Sequence, residues 1–349
     1  MNTSSRVVLT GATGFLGRSL LDRLLERGDT VLALGRDPAR LARELPAGVE
    51  FAAFDLNDPR PPEGLRRGDV VIHCAALLGN ARADRDEYLR ANTEAVRVLA
   101  GAARAAGAAL FQFVSSVSAH GPIGSLERPL REDSPFRPAS LYGESKALAE
   151  QALAGVAGLR VQVLRPPVIH GPGANAHSSA AKIFRLMNGP LFFRRGGGHN
   201  RFNVMARENL VEAMLFLATR ALGEPAPPPP GHPAALPPCP DTWMLRDEPC
   251  PSMREVQEWI GEAYGRRPLI LPLPWFLLAG LGVLGDALRA RGWSFPFSRE
   301  IARGFGTSGY YSDMGHLLAT GWRPARPTRL ALQDTAAGYA RMRGGASSG

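Results

Sequence analysis

A chain of 349 residues is long for one compact domain and short for three, so one large domain with an elaborated end, or two coupled domains, is expected. With 45% apolar and 21% charged residues it is not a disordered chain. The net charge of +9 raises nucleic acid and anionic lipid as partners. The arginines are scattered, however, and no helix-turn-helix, RNP or zinc pattern occurs, so small molecules bearing phosphate are expected and nucleic acid is not.

Cys74, Cys239 and Cys250 are odd in number and lack metal-ligand spacing, so neither a disulfide framework nor a bound metal is expected. A reducing cytosol fits them best. MNTSSRVVLTG has no charged segment followed by an apolar one, so no signal peptide is visible and a cytoplasmic location is expected.

Short apolar runs at 6–9, 30–34, 49–54, 70–74, 110–114 and 161–164 alternate with helical spacing at 15–27, 88–106 and 141–153. Continuous apolar runs separated by helices predict a parallel sheet covered on both faces, an α/β doubly wound fold of Rossmann type. We expect residues 1–170 to form the nucleotide-binding domain and 171–340 a smaller, mostly helical substrate-binding region, with 241–262 returning to the first core. The proline-rich stretch 223–240 reads as an exposed loop and 341–349 as a disordered tail. In Leu269 to Leu288, Pro272, Pro274 and Asp286 interrupt an apolar run too short to span a membrane. It reads as a buried helix walling the substrate pocket, with a helix lying at a membrane surface as the rival.

The first strand runs into TGATGFLG, whose Gly11, Gly14 and Gly17 open a helix. Glycine there permits a tight turn and close backbone approach to a pyrophosphate seated on the helix N-terminus. After the second strand stands Arg36, where an acid would bind the ribose hydroxyls of NAD and an arginine suits the 2′-phosphate of NADP. NADP is favoured, and Asp37 beside it keeps NAD open.

Only two lysines, Lys146 and Lys182, stand among 39 arginines. Lys146 lies four residues after Tyr142 on one helix face. A phenol titrating near ~10 is a poor proton shuttle at neutral pH, and a compact ammonium can stabilise its phenolate where a guanidinium fork fits poorly. Lys146 is therefore expected to lower the pKa of Tyr142.

Taken together these motifs resemble the extended short-chain dehydrogenase/reductases of the NAD(P)-dependent epimerase/dehydratase type, through nearly the whole chain. In that resemblance TGATGFLG is the cofactor fingerprint, bringing in Thr13, Phe15 and Leu16, and Asp55-Leu56 is the pair touching adenine. His73-Cys74-Ala75-Ala76 matches the fourth-strand motif beside the ribose, and Tyr142-Gly143-Glu144-Ser145-Lys146 the catalytic Y-x-x-x-K. Leu164-Arg165-Pro166-Pro167 and Gly171-Pro172-Gly173 match the nicotinamide-side strand and loop, which adds Pro166 and Val168 to the cofactor contacts. Tyr311-Ser312-Asp313 and Gly321-Trp322-Arg323-Pro324 resemble the family's C-terminal signature.

The resemblance implies hydride transfer between nicotinamide and a carbonyl or secondary alcohol. Tyr142 would be the acid/base, Lys146 its partner and a ribose ligand, Ser116 the carbonyl donor and Asn92 a supporting residue. Ser115 or Ser118 remains an alternative to Ser116. His120 and His170 stand where the family often has tyrosine, and are expected on the substrate side together with Arg201. The expected substrate is a small-molecule carbonyl or alcohol, with a nucleotide sugar and a hydrophobic ketone both open. An epimerase or dehydratase using the same site, and a non-catalytic NADP-binding sensor, are the alternatives. A homodimer through the helices at 88–106 and 141–153 is implied by the resemblance alone.

Overall fold

The structure is a computed structural model describing residues 5–344 apart from 79–82, 175–178, 225–240, 266–267, 294, 296–298, 300–301 and 304–306. Most of the proline-rich stretch and the end of the C-terminal tail therefore lie outside the described residues.

The strands are β1 (Arg6–Thr10), β2 (Thr30–Gly35), β3 (Glu50–Ala53), β4 (Val70–His73), β5 (Leu110–Val114), β6 (Val161–Arg165), β7 (Val168–His170), β8 (Leu191–Arg195), β9 (Val204–Ala206), β10 (Asp241–Met244) and β11 (Leu269–Leu273). The helices are α1 (Phe15–Glu26), α2 (Pro38–Glu44), α3 (Arg85–Leu89), α4 (Ala95–Ala106), α5 (Leu141–Ala154), α6 (Ser179–Met187), α7 (Arg207–Gly223), α8 (Met253–Ala263), α9 (Trp275–Ala290), α10 (Gly315–Ala319) and α11 (Thr328–Gly344). A π turn, Arg90–Glu94, joins α3 to α4, so the expected single helix is interrupted.

Seven strands form one parallel sheet in the order β3-β2-β1-β4-β5-β6-β10. The reversal of order beside β1 makes a crevice at the strands' carboxyl ends, where ligands of open α/β sheets bind. One face packs against α1 and α7 through Leu16, Leu20, Leu24, Leu210, Met214 and Leu217. The other packs against α4 and α5 through Val96, Leu99, Ala103, Ala149 and Leu153. Leu110–Val114 and Val161–Arg165 are buried at every position, as strands covered on both faces must be. A smaller core gathers α6, α8 and α11, with Phe184 stacked on Tyr339 at 5.4 Å. β8 pairs in parallel with β11 apart from the main sheet.

The segment Leu269 to Leu288 departs from the expected buried helix. It forms β11 and then α9, of which only Leu278, Gly282 and Gly285 are buried. The run is apolar on both sides of the helix, so composition could not say which side the core would take.

At the end of β6, Arg165 is fully buried and forks onto Glu150 of α5, its Nε at 3.0 Å and a terminal nitrogen at 2.6 Å from Oε2. Ser115 Oγ donates to the same carboxylate, and the other terminal nitrogen of Arg165 donates to Glu132 O at 2.8 Å. Removing one member of such a pair leaves an unpaired buried charge, a loss of roughly 3–5 kcal/mol. Arg165→Met should therefore lower the unfolding midpoint by at least about 5 °C. The double change Glu150→Leu/Arg165→Met should recover most of that, as followed by thermal unfolding.

Candidate active site

Gly11 carries φ +76°, a conformation that suits glycine. A Cβ on Gly17 would lie 2.1 Å from Gly11 O, and one on Gly11 would lie 3.0 Å from Ala75 N, so the turn is packed to the limit of glycine itself. Thr13 and Gly14 are exposed at its lip, while Leu16 is buried in the core below. This cradle at a helix N-terminus fits a dinucleotide pyrophosphate. The ring of Phe15 lies under the Arg207 guanidinium at 4.8 Å, and a Cβ on Gly171 would sit 3.2 Å from it, so the loop at 171–173 closes over the turn. Arg207 itself donates to Pro172 O at 3.1 Å, leaving its buried Nε without a partner.

Around this turn the other expected cofactor residues converge at the carboxyl ends of the strands. Thr10 Oγ1 accepts from Ala75 N at 3.1 Å, which ties the β1 and β4 ends together. Ala76 follows, half-buried, and Pro166 O accepts from Val117 N at 3.1 Å beside Val168 at the start of β7. Asp55 and Leu56 are half-buried just past β3, with Asp55 accepting from Asn57 N. Arg36 is exposed past the end of β2. Its neighbour Asp37 caps α2 by accepting from Arg40 N at 3.0 Å, which commits the carboxylate that kept NAD open.

The N-terminus of α5 brings Tyr142 and Lys146 against the end of β5. Ser140 caps the helix by accepting from Gly143 N, and a Cβ on Gly143 would lie 2.3 Å from Ser118 O, so the helix presses directly on the serine loop. Ser116 lies close enough to the Tyr142 hydroxyl to oppose the rise of its pKa, whereas Ser115 is turned to Glu150. Lys146 is buried, with its ammonium 2.9 Å from Val114 O and 5.8 Å from the centre of the Tyr142 ring.

Here the electrostatics differ from the expectation. Burial pushes the Tyr142 phenol up to about 12, with Ser116 only partly opposing it, and Lys146 does not reverse the shift. Burial also pulls Lys146 down to about 8, with Cys74 and Glu150 opposing. Desolvation outweighs the pair's attraction because the ammonium is directed at the strand carbonyl rather than at the phenol. Burial likewise holds His73 neutral, at about 3, and the Cys74 thiol up at about 12.

Asn92 sits in the π turn, fully buried. Its amide donates to Ser145 Oγ and to Leu77 O, both at 3.0 Å, and its oxygen accepts from Leu77 N at 2.7 Å. Ser145 in turn donates to Tyr142 O at 2.8 Å. The π turn thus locks the stretch between tyrosine and lysine; such turns recur at functional sites.

The residues expected on the substrate side are each engaged within the fold. His120 is fully buried, stacked on Phe136 and bonded to Pro135 O at 3.2 Å. His170 is equally buried, with Nδ1 3.0 Å from Thr335 Oγ1 and Nε2 facing Asp247. Arg201 donates to Cys250 O at 3.0 Å and lies 3.6 Å from Glu255. Each thus has a partner within the fold, while Nε2 of His120 and of His170 is buried without a hydrogen-bond partner. The sequence reading gave no role to Glu150 or to the Arg165 side chain. Among the described residues no group of three or more His, Cys, Asp or Glu is placed to hold a metal.

The model of the NAD dependent epimerase/dehydratase family matches residues 7–227. The chain belongs to this family, within the extended short-chain dehydrogenases/reductases, and is an NAD(P)-dependent enzyme of the oxidoreductase and epimerase type. It is similar to the UDP-glucose 4-epimerase of Vibrio cholerae, 25% identical over 344 residues and 95% of each chain. It is also similar to sterol demethylase protein B of Methylococcus capsulatus, 28% identical over 291 residues, 81% of this chain and 82% of that one. Among solved structures, the Thermus thermophilus UDP-glucose 4-epimerase in complex with NAD superposes with a TM-score of 0.67 at 24% identity, covering 96% of this chain and 99% of that one.

The glycine cradle yields a direct prediction. Gly17→Ala should reduce dinucleotide affinity at least ~10-fold with the fold retained, because its Cβ meets backbone that cannot yield. Gly101→Ala, with open space around its Cβ, should leave affinity unchanged in the same fluorescence titration.

Proposed function

We propose that the chain is an NADP(H)-dependent reductase or dehydrogenase acting on a ketone or secondary alcohol of a hydrophobic substrate. The observation that carries the reading is the convergence of Tyr142, Ser116 and Lys146 beside the glycine cradle. In this reading Gly11, Thr13, Gly14, Phe15, Leu16 and Gly17 hold the pyrophosphate, and Asp55 and Leu56 the adenine. Arg36 takes the 2′-phosphate, and Ala75, Ala76, Tyr142, Lys146, Pro166 and Val168 enclose ribose and nicotinamide. When bound, the nicotinamide supplies or takes up the hydride.

Ser116 donates a hydrogen bond to the substrate carbonyl oxygen and holds it beside Tyr142. Tyr142 gives its hydroxyl proton to that oxygen as the carbonyl carbon is reduced, and in the reverse direction takes the proton from the alcohol. A phenol near 12 is protonated at neutral pH, the form reduction requires. Lys146, near 8, is cationic there and keeps a positive charge behind the phenolate that forms. Asn92 positions this stretch of α5 through Ser145. Reduction should therefore hold at neutral pH and decline as the solution becomes alkaline, while alcohol oxidation rises.

A hydrophobic substrate is supported by the likeness to a sterol demethylase protein over most of the chain and by the engagement of Arg201 with Cys250 and Glu255. A second reading, a nucleotide-sugar epimerase with transient hydride transfer, is favoured by the likeness to UDP-glucose 4-epimerase across 95% of the chain. Cofactor oxidation in step with product formation supports the first reading; cofactor returned unchanged supports the second.

Turnover of a ketone substrate by Tyr142→Phe should fall at least ~100-fold with cofactor binding kept. Lys146→Arg should also be strongly impaired, since the broad fork does not fit where a compact ammonium meets Val114 O. Near-normal rates in either would remove the assignment. Arg36→Asp should weaken NADPH and spare NADH in a binding titration; tighter NADH binding by the unmodified protein would overturn the NADP preference.

A further inference from the structure

A surface helix normally turns its polar face to solvent. In α9 the reverse holds: Phe276, Gly280, Val283 and Leu284, spaced to share one face, are exposed, with Leu277 beside them. Phe276 is 71% exposed and Trp293, just beyond the helix, 69%. Leu269, at the start of the preceding strand β11, is 65% exposed as well. Inward, the helix rests on a small cluster in which Leu278 and Ala302 are the buried members. Exposed apolar side chains grouped in this way mark an interaction surface rather than scattered surface leucines.

The charge of the segment that carries the patch says what covers it. Residues 266–303 contain six arginines against two acids. One of those acids, Asp286, is already bound by Arg299 at 2.8 Å. Arg289 and Arg291 are exposed at the end of α9, donating to the carbonyls of Phe295 and Ala287 at 2.9 and 3.3 Å, so no carboxylate neutralises them in those contacts. An exposed apolar face, with exposed arginines at the helix end and an exposed tryptophan just beyond it, is the pattern of a helix lying in a bilayer interface. The 16 residues of α9 extend about 24 Å, short of a ~30 Å hydrocarbon core, and among the described residues no helix is long and apolar enough to cross a membrane. A two-fold contact with a second copy would set the arginines of one rim against those of the other.

We propose that α9, with Leu269 and Trp293, docks this protein onto the surface of an anionic lipid bilayer. The helix lies in the headgroup plane, its apolar face buried and its arginines on lipid phosphates. This does not depend on whether the active site works as a reductase or an epimerase.

The test is co-sedimentation of the full chain with phosphatidylcholine vesicles with and without phosphatidylglycerol. The protein should pellet with the anionic vesicles. Phe276→Ser/Leu284→Ser should lower the partition coefficient at least about tenfold. Arg289→Gln/Arg291→Gln should lower it on the order of fivefold per arginine, on anionic vesicles only. Trp293→Ser, outside the helix, should weaken binding in the same direction with the fold unaltered; NADPH binding and the unfolding midpoint report the fold of every variant. Protein that stays in the supernatant with anionic vesicles, or serine variants that pellet like the unmodified chain, would overturn the proposal. A fall in solution mass in the serine variants by light scattering would assign the face to a second copy and overturn it as well.

Discussion

The candidate active site depends on a charge pair placed where water cannot reach it. Arg165 and Glu150 are both buried, and between them they hold Ser115 at the end of β5, Glu132 O in the following loop and the middle of α5. Removing two charges from water is costly, and such pairs return little net stability, but they allow one arrangement. That arrangement sets α5 in register against β5 and β6. Lys146, one turn before Glu150, then reaches Val114 O, and Tyr142, a further turn back, meets Ser116. From the other side, the buried amide of Asn92 fixes Ser145 between tyrosine and lysine. The candidate catalytic groups are thus held by neighbours that need not touch substrate.

This rigidity explains the electrostatics. A lysine buried with its ammonium on a carbonyl is pulled down to about 8, and a desolvated phenol rises to about 12. The two shifts move the groups apart, the phenol from 10.0 up to about 12 and the ammonium from 10.5 down to about 8, and leave the lysine cationic and the tyrosine protonated at neutral pH. That is the protonation state from which a carbonyl oxygen can be protonated and the resulting phenolate kept beside a positive charge. An arginine keeps its charge under any burial and spreads it over a wide fork, which gives a physical reason for a lysine in a chain that otherwise relies on arginine.

Much of this was legible in the sequence. The continuous apolar strands and the glycine spacing after the first of them reported the parallel sheet and the cradle, because both follow from local periodicity and backbone sterics. Tyr142 and Lys146 were legible because four residues make one helical turn. Glu150 and Arg165 were not: an acid on a helix and an arginine before two prolines look like surface residues until the fold buries both. The signal was present in VQVLR, where the strand stays buried through its arginine, and in the placement of Glu150 one turn beyond Lys146 on the same face. For His120, His170 and Arg201 motif position pointed to a ligand and could not show that Pro135, Thr335 and Cys250 would bond them within the fold. For the apolar stretch after Leu269, composition fixed the hydrophobicity and left open which face met solvent.

The central claim is net hydride transfer to a carbonyl protonated by Tyr142. The most direct measurement is a single turnover of the unmodified enzyme with NADPH deuterated at the transferring position of nicotinamide C4 and a hydrophobic ketone. The account predicts one deuterium on the product carbinol carbon per NADPH oxidised, with a primary isotope effect on the step. Label retained on a cofactor that returns unchanged, while the substrate is epimerised or left intact, would contradict it.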